Sequence, residues 1–212
     1  MRIGILGSGL MGGKLGTLFA RAGHDVVFSY SRSRKKLERL VREAGTTARS
    51  GTPREAAESA DVILLAVHWS KVRDVLRQAG DLAGKTVATC SLPMNRNDTE
   101  LVIGHRSSGA EALAKKVKGA VVSAFGTIPS EVLFDVYATR RRKTRPSLVY
   151  CGDDKKAKRV VARLIRDIGF DPADAGPLRM ARYIEPFTML VAQQAYEVKG
   201  GPKLAYRFVR FA

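Results

Sequence analysis

Arg2-Ile3-Gly4-Ile5-Leu6-Gly7-Ser8-Gly9-Leu10-Met11-Gly12 is the stretch that decides the fold. A short apolar run of strand length passes directly into Gly-x-Gly-x-x-Gly, and an amphipathic pattern follows from Met11 to Ala22. With 20 glycines in the chain a bare match of this kind carries little weight, since any glycine-rich strand-to-helix turn would produce it. The context is what counts. Gly7 permits a tight turn, Gly9 lets a pyrophosphate approach the backbone, and Gly12 lets the helix pack closely on the strand. The amides left unpaired at the helix start then face the phosphate charge. The segment therefore predicts a dinucleotide-binding βα unit.

Outward from this unit, apolar runs of strand length alternate with amphipathic helical patterns, which predicts an α/β doubly wound, mostly parallel sheet of Rossmann type. Asp25 to Ser29 reads as the second strand, and Arg34 to Ala44 as a helix stopped by Gly45. Thr52-Pro53-Arg54-Glu55 combines a capping box with proline at the first helical position, so a short helix starts there. Asp61 to Val67 is uninterrupted in apolar character after its first residue, as a central strand buried on both faces requires. Lys85 to Ser91, Ala120 to Ala124 and Ser147 to Cys151 read as further strands, with helices over Ser108 to Val117 and Asp154 to Ile168. The alternation stops after Gly176-Pro177, leaving one helical pattern from about Pro186 to Glu197. The expected organisation is a nucleotide-binding domain over residues 1–177 and a small helical lobe over 178–212.

The end of the second strand separates NAD from NADP. NAD-selective folds place an acidic residue about 20 positions beyond the glycines to accept from the ribose 2′-hydroxyl. Here the sequence is Ser29-Tyr30-Ser31-Arg32-Ser33-Arg34-Lys35-Lys36, with hydroxyls and cations suited to a 2′-phosphate. NADP is the expected cofactor, with Ser31 and Arg32 the better candidates, since at least one of Arg34, Lys35 and Lys36 belongs to a solvated helix start.

Composition bounds the setting. Cys90 and Cys151 are far apart and outside any metal-binding spacing, so neither a disulfide framework nor structural zinc is expected, and a cytoplasmic location is. No stretch approaches the roughly 18 apolar residues of a membrane span. The 37 basic and 20 acidic residues leave a net charge of +17, which attracts phosphorylated ligands and other polyanions. The Arg140-Arg141-Arg142-Lys143-Thr144-Arg145 run is expected in a loop. Basic residues are spread through most of the helical patterns without an aromatic-interleaved recognition motif, so charge alone does not point to nucleic acid as a partner.

Ligands of such sheets bind beyond the carboxyl ends of the strands. The residues there are His68-Trp69, Ser91-Leu92-Pro93-Met94 and Phe125-Gly126-Thr127-Ile128-Pro129-Ser130. They offer no paired carboxylates, no Ser/His/Asp constellation and no metal-ligand spacing, and no catalytic acid or base is assigned. Such a site suits direct hydride passage between stacked rings, where position is the protein's contribution. His68 is a candidate donor to a ring carbonyl and equally a structural residue; Trp69 would wall the pocket or plug the sheet edge.

Gly7 to Gly12, Ser31-Arg32, Val122-Ser123-Ala124, Thr127-Ile128-Pro129, Cys151-Gly152-Asp153-Asp154 and Asp174-Ala175-Gly176-Pro177-Leu178 together resemble the coenzyme F420-dependent NADP oxidoreductase family. The resemblance spans nearly the whole chain and extends to relatives that include the cytosolic domain of some membrane ferric reductases. It implies hydride transfer between NADPH and a deazaflavin, a Rossmann domain with a small C-terminal lobe, and often a homodimer. It also implies that Ser8, Gly9, Leu10 and Met11 hold the pyrophosphate and that Ser31, Arg32 and Lys36 hold the 2′-phosphate. Val67, His68, Ile128 and Ser130 would border the nicotinamide. Gly126 and His68 depart from the archaeal pattern, which has His before Thr-Ile-Pro and Pro before the Trp. Both lie where the second redox partner would dock, leaving a flavin, quinone or iron chelate as alternative acceptors. The C-terminal helix, with Phe187, Met189, Leu190 and Val191, is apolar enough to serve a dimer or a core.

Overall fold

The computed structural model describes residues 1–211. Strands β1 (Arg2–Leu6), β2 (Asp25–Ser29), β3 (Ala48–Ser50), β4 (Val62–Leu65), β5 (Thr86–Thr89), β6 (Ala120–Ser123), β7 (Ser147–Gly152) and β8 (Asp171–Asp174) form one sheet in the order β3-β2-β1-β4-β5-β6-β7-β8. Every neighbouring pair is parallel except β6 and β7, which run antiparallel with Ser123 opposite Cys151. The order 3-2-1-4-5-6 is that of a dinucleotide-binding sheet, whose strand order reverses between β1 and β4. β4 is buried at every residue, which explains its unbroken apolar sequence.

The helices divide between the two faces. α1 (Leu10–Arg21), α2 (Arg34–Ala44), α6 (Leu133–Ala138) and α7 (Lys155–Asp167) cover one face, over a core containing Ile3, Ile5, Phe19, Phe28 and Phe125. α3 (Pro53–Glu58), α4 (Val72–Ala79), α5 (Gly109–Ala114) and α8 (Ala181–Tyr196) belong to the other, over Leu6, Ile63, Leu65, Val75 and Val87. Ile63 and Leu65 face one core and Val62 and Leu64 the other, the period of two expected along a strand. The capping box appears as read: Thr52 Oγ1 accepts from the Glu55 amide at 3.2 Å and Glu55 Oε2 accepts from the Thr52 amide at 2.7 Å.

Several elements differ from the sequence reading. β3 and β8 were not expected, because one is only three residues and the other contains Pro172; both lie at sheet edges, where short strands and proline are tolerated. α4 and α6 were also missed. The last helix begins at Ala181, five residues before the expected Pro186, and carries that proline inside its first turns. Pro186 is the sixth residue of the helix, beyond the first turn, so its missing amide leaves the Arg182 carbonyl without the usual helical donor.

The C-terminal segment lies against the same core. Leu178, Ala181 and Ile184 are buried in the second cluster, and Tyr206 packs between Phe187 and Phe208. The Tyr206 hydroxyl meets Thr127 Oγ1 at 2.7 Å and accepts from the Val149 amide at 3.2 Å, fastening the tail to the loop after β6. No helix among the described residues is long and apolar enough to cross a membrane.

Candidate functional site

The glycine turn sits at the reversal between β1 and β4. Gly7 has φ 118°, and a Cβ there would lie 2.3 Å from the Ala66 carbonyl oxygen. At Gly12 a Cβ would come within 1.8 Å of the Gly7 carbonyl oxygen, so α1 can approach β1 only with hydrogen at this position. Gly9 is different: the space beyond it is empty to 4 Å, and only a ligand would be met there. The first intrahelical bond of α1 runs from the Gly13 amide to the Gly9 oxygen at 3.0 Å, leaving the amides of Leu10, Met11 and Gly12 without helical acceptors. No side chain caps this end and its first turn holds no acidic residue. It is a helix terminus open to an anion. The Ser8 hydroxyl donates to the Ser29 carbonyl at 2.8 Å, which leaves its backbone as the part that can face a phosphate.

An open cleft of about 880 Å³ extends from this turn. Its lining brings together Gly7, Ser8, Gly9, Ser31, Arg32, Lys36, Val67 and His68 from the sequence-derived candidates. Tyr30, Thr52, Lys71, Asp74 and Gln78 also line it, contributed by elements whose approach no local pattern revealed. At the β2 end, Ser31 Oγ accepts from the Ser33 amide at 3.1 Å, and Ser33 caps α2 by accepting from Lys36. Arg34 is engaged with Glu38 at 3.1 Å on the outer face of α2, whereas Arg32 and Lys36 form no ion pair among the described residues. Two cations thus border the cleft free to meet a phosphate. Tyr30 holds φ 58° and donates to Asp74 at 2.8 Å, and burial beside that carboxylate pushes its phenol up to about 12. It is a neutral wall of the cleft at ordinary pH.

The other end is built by the loops after β4, β5 and β6. His68 is oriented from both sides: its Nδ1 accepts from the Ser70 amide at 3.2 Å, so Nε2 carries the proton toward the Asn95 carbonyl at 3.2 Å and Asp98 Oδ1 at 3.0 Å. The histidine therefore ties the loop after β4 to the loop after β5. Val67 donates its amide to Ser91 Oγ at 3.2 Å, a second tie between the same loops. Phe125, a bulky residue at φ 67°, makes the sharp exit from β6 that turns Gly126 and Thr127 toward this edge. Trp69, Ile128 and Ser130 lie outside the lining of the open cleft. Trp69 packs against the α4 side of the core, Ile128 is buried in the α1 side, and Ser130 is held by Lys14, whose Nζ donates to the Ser130 carbonyl at 3.0 Å and its hydroxyl at 3.2 Å. Leu10 and Met11 take part through the helix start described above, Leu10 with its side chain 70% exposed.

Lys14 and Glu185 were missed by sequence reasoning. Lys14 follows the glycine motif at helical spacing but finds Ser130 only through the packing of α1 beside the loop after β6. Glu185 is 3% exposed on α8 and accepts from the Gly109 amide at 2.8 Å and the Ala110 amide at 3.0 Å. It borders a small buried void with Cys90, Gly126, Thr127 and Thr188. Burial raises its carboxyl to about 7 against the opposing pull of the two amides. Both thiols are free and buried environments raise each to about 12, so neither is a nucleophile at neutral pH. No cluster of metal-ligating side chains occurs among the described residues.

With strand order, glycine turn and ribose-side cations in place, the comparison with known proteins is specific. The family description NADP oxidoreductase, coenzyme F420-dependent, matches residues 2–93, the part that builds the glycine turn and the cleft. Over that segment the chain is similar to the coenzyme F420-dependent NADP oxidoreductase family. Beyond it, the chain is 34% identical over 185 residues to metalloreductase STEAP3 of Rattus norvegicus, covering 87% of this chain and 36% of that protein. The chain thus spans about a third of the length of this curated relative. Among solved structures, a proposed F420-dependent NADP reductase of Arthrobacter sp. FB24 superposes with TM-score 0.86 at 22% identity, over 99% of this chain and 100% of that one. The hypothetical protein SMa0349 of Sinorhizobium meliloti gives 0.74 at 27% identity, over 99% and 96%. The fold is therefore shared with these structures over nearly the whole chain, C-terminal segment included.

Proposed function

We propose that the chain is an NADP-dependent reductase that passes hydride from NADPH to a second redox-active ring, a deazaflavin of the F420 type or a flavin-like molecule. The observation that carries this reading is the pairing, in one cleft, of an uncapped helix start behind Gly9 with Arg32 and Lys36, two cations without acidic partners. The residues fit the cofactor: the amides of Leu10 and Met11 face the pyrophosphate, and Arg32, Lys36 and Ser31 face the 2′-phosphate. Bound there, NADPH supplies the hydride. The chain's own contribution is positional. Val67 and the His68-anchored loop close one side of the nicotinamide end, and the Lys14–Ser130 contact fixes the segment after β6 on the other. Besides His68, the cleft is lined by Lys71 and by Asp74, which is bound to Tyr30, and it holds no paired carboxylates and no Ser/His/Asp set, which favours transfer between stacked rings over acid–base chemistry.

A second acceptor class is favoured by the 34% identity to a metalloreductase: a flavin that relays electrons to a ferric chelate. A cytoplasmic, reducing setting accords with two free thiols, and a homodimer through the exposed Tyr183 and Leu190 of α8 accords with the family; light scattering tests the latter. To test the function, the protein is mixed with NADPH and, separately, deazaflavin, FMN and a ferric chelate, and NADPH absorbance is followed. Oxidation with deazaflavin or FMN is expected. Tight NADPH binding with none of the three reduced would refute hydride transfer.

A further inference from the structure

A second cleft, of about 670 Å³, lies along α7, lined by Tyr150, Lys155, Lys158, Arg159, Arg166 and Asp174, with Ala162 as its floor. Because β7 runs against β6, its last residue and the start of α7 stand at the edge of the sheet opposite the glycine turn. Lys155, Arg159, Ala162 and Arg166 recur at helical spacing on one face, so a small residue between long cations leaves a trough. Asp174, the acidic residue in the lining, is already engaged by Lys158 at 2.8 Å. Lys155, Arg159 and Arg166 are exposed and form no ion pair among the described residues.

We propose that this trough binds the phosphodiester backbone of a single-stranded nucleic acid, without reading its bases. From Lys155 to Arg166 the helix rises about 16 Å, at ~1.5 Å per residue. No single phosphate reaches both ends, whereas successive phosphates of a stacked strand, ~3.4 Å apart along the axis, cover the whole stripe. A bilayer is disfavoured because the large apolar side chains of α7 are engaged by the core, Val161, Leu164 and Ile165 buried and Val160 half-buried against it, leaving none fully exposed to insert. The floor offers no exposed aromatic platform, since Tyr150 is 6% exposed, so base stacking does not contribute. The site also gives a use to part of the net charge of +17, which the 2′-phosphate end of the nucleotide cleft engages only through Arg32 and Lys36. The scattered basic residues of the sequence become a stripe only once α7 is wound and docked.

The test measures anisotropy of a labelled 20-nucleotide oligothymidylate across a salt series. Removing three phosphate contacts, at ~0.7 per contact, should flatten the log–log salt slope by about 2 in the variant Lys155→Gln/Arg159→Gln/Arg166→Gln. Arg141→Gln/Arg142→Gln/Lys143→Gln removes the same charge elsewhere and should change the slope by less than about 0.7. NADPH affinity should be unchanged in both, which verifies folding; were the first variant unstable, Arg159→Gln and Arg166→Gln singly should each flatten the slope by about 0.7. Equal effects of the two triple variants would overturn the proposal in favour of diffuse charge attraction. Absence of oligonucleotide binding, or binding only to polyphosphate or to vesicles containing anionic lipid, would overturn it as well.

Discussion

Glu185→Gln gives a quantitative test of how α8 is fastened beside the site. The carboxylate of Glu185 clasps the first amides of α5 and so secures the end of the loop that begins after β5 and carries Asn95 and Asp98, the partners of His68. Burial raises its carboxyl from 4.5 in the unfolded chain to about 7 in the fold. Between these values the folded protein keeps a proton that the unfolded chain has released, so stability falls as pH rises. The full swing is about 3 kcal/mol, at ~1.4 kcal/mol per unit, complete above pH 7 and absent below 4.5. Glutamine cannot ionise, and its NH₂ faces one of the two amides, which costs about 1–3 kcal/mol at every pH. Urea denaturation at intervals from pH 5 to 8.5 should therefore find the variant less stable by about 1–3 kcal/mol at pH 5 and close to wild type at pH 8.5. A difference that stays constant across the series would show that the two amides fully compensate the buried charge, and would refute this account.

Replacing two glycines of the turn, one open to a ligand and one packed against β1, separates packing from binding. Gly9→Ala meets nothing within 4 Å and should leave stability within about 0.5 kcal/mol while abolishing tight NADPH binding; Gly12→Ala, at 1.8 Å from the Gly7 oxygen, should lower both. Thermal melts with NADPH titrations check this, and loss of stability in the Gly9 variant would contradict it. Arg32→Asp should weaken NADPH by about 10- to 100-fold, the worth of a charge-assisted contact, with little effect on NADH; equal losses would remove Arg32 from the 2′-phosphate. Tyr206→Phe deletes the contacts to Thr127 and the Val149 amide and should cost about 1–3 kcal/mol in urea denaturation, whereas an unchanged midpoint would mean that the tail does not brace the loop after β6.

The sequence alone determined what depends on neighbours along the chain. The glycine spacing, the unbroken apolar run of β4, the capping box at Thr52 and the hydroxyl-and-cation cluster after β2 each act within a turn or a strand, and together they named the fold and the phosphorylated ribose. Among the cations after β2, however, only packing decided which are available: α2 turns Arg34 to Glu38 and leaves Arg32 and Lys36 on the cleft. The Ser70 amide fixes the His68 tautomer locally, but tertiary structure supplied the acceptors of its Nε2 proton, since Asn95 and Asp98 lie 27 and 30 residues away. It brought Lys14 to Ser130 and Glu185 to Gly109, contacts spanning 116 and 76 positions that no local periodicity encodes. The reversal of β7 belongs to the same class: a strand's sequence fixes which faces are buried, but its direction follows from the connection and from the partners that satisfy its amides.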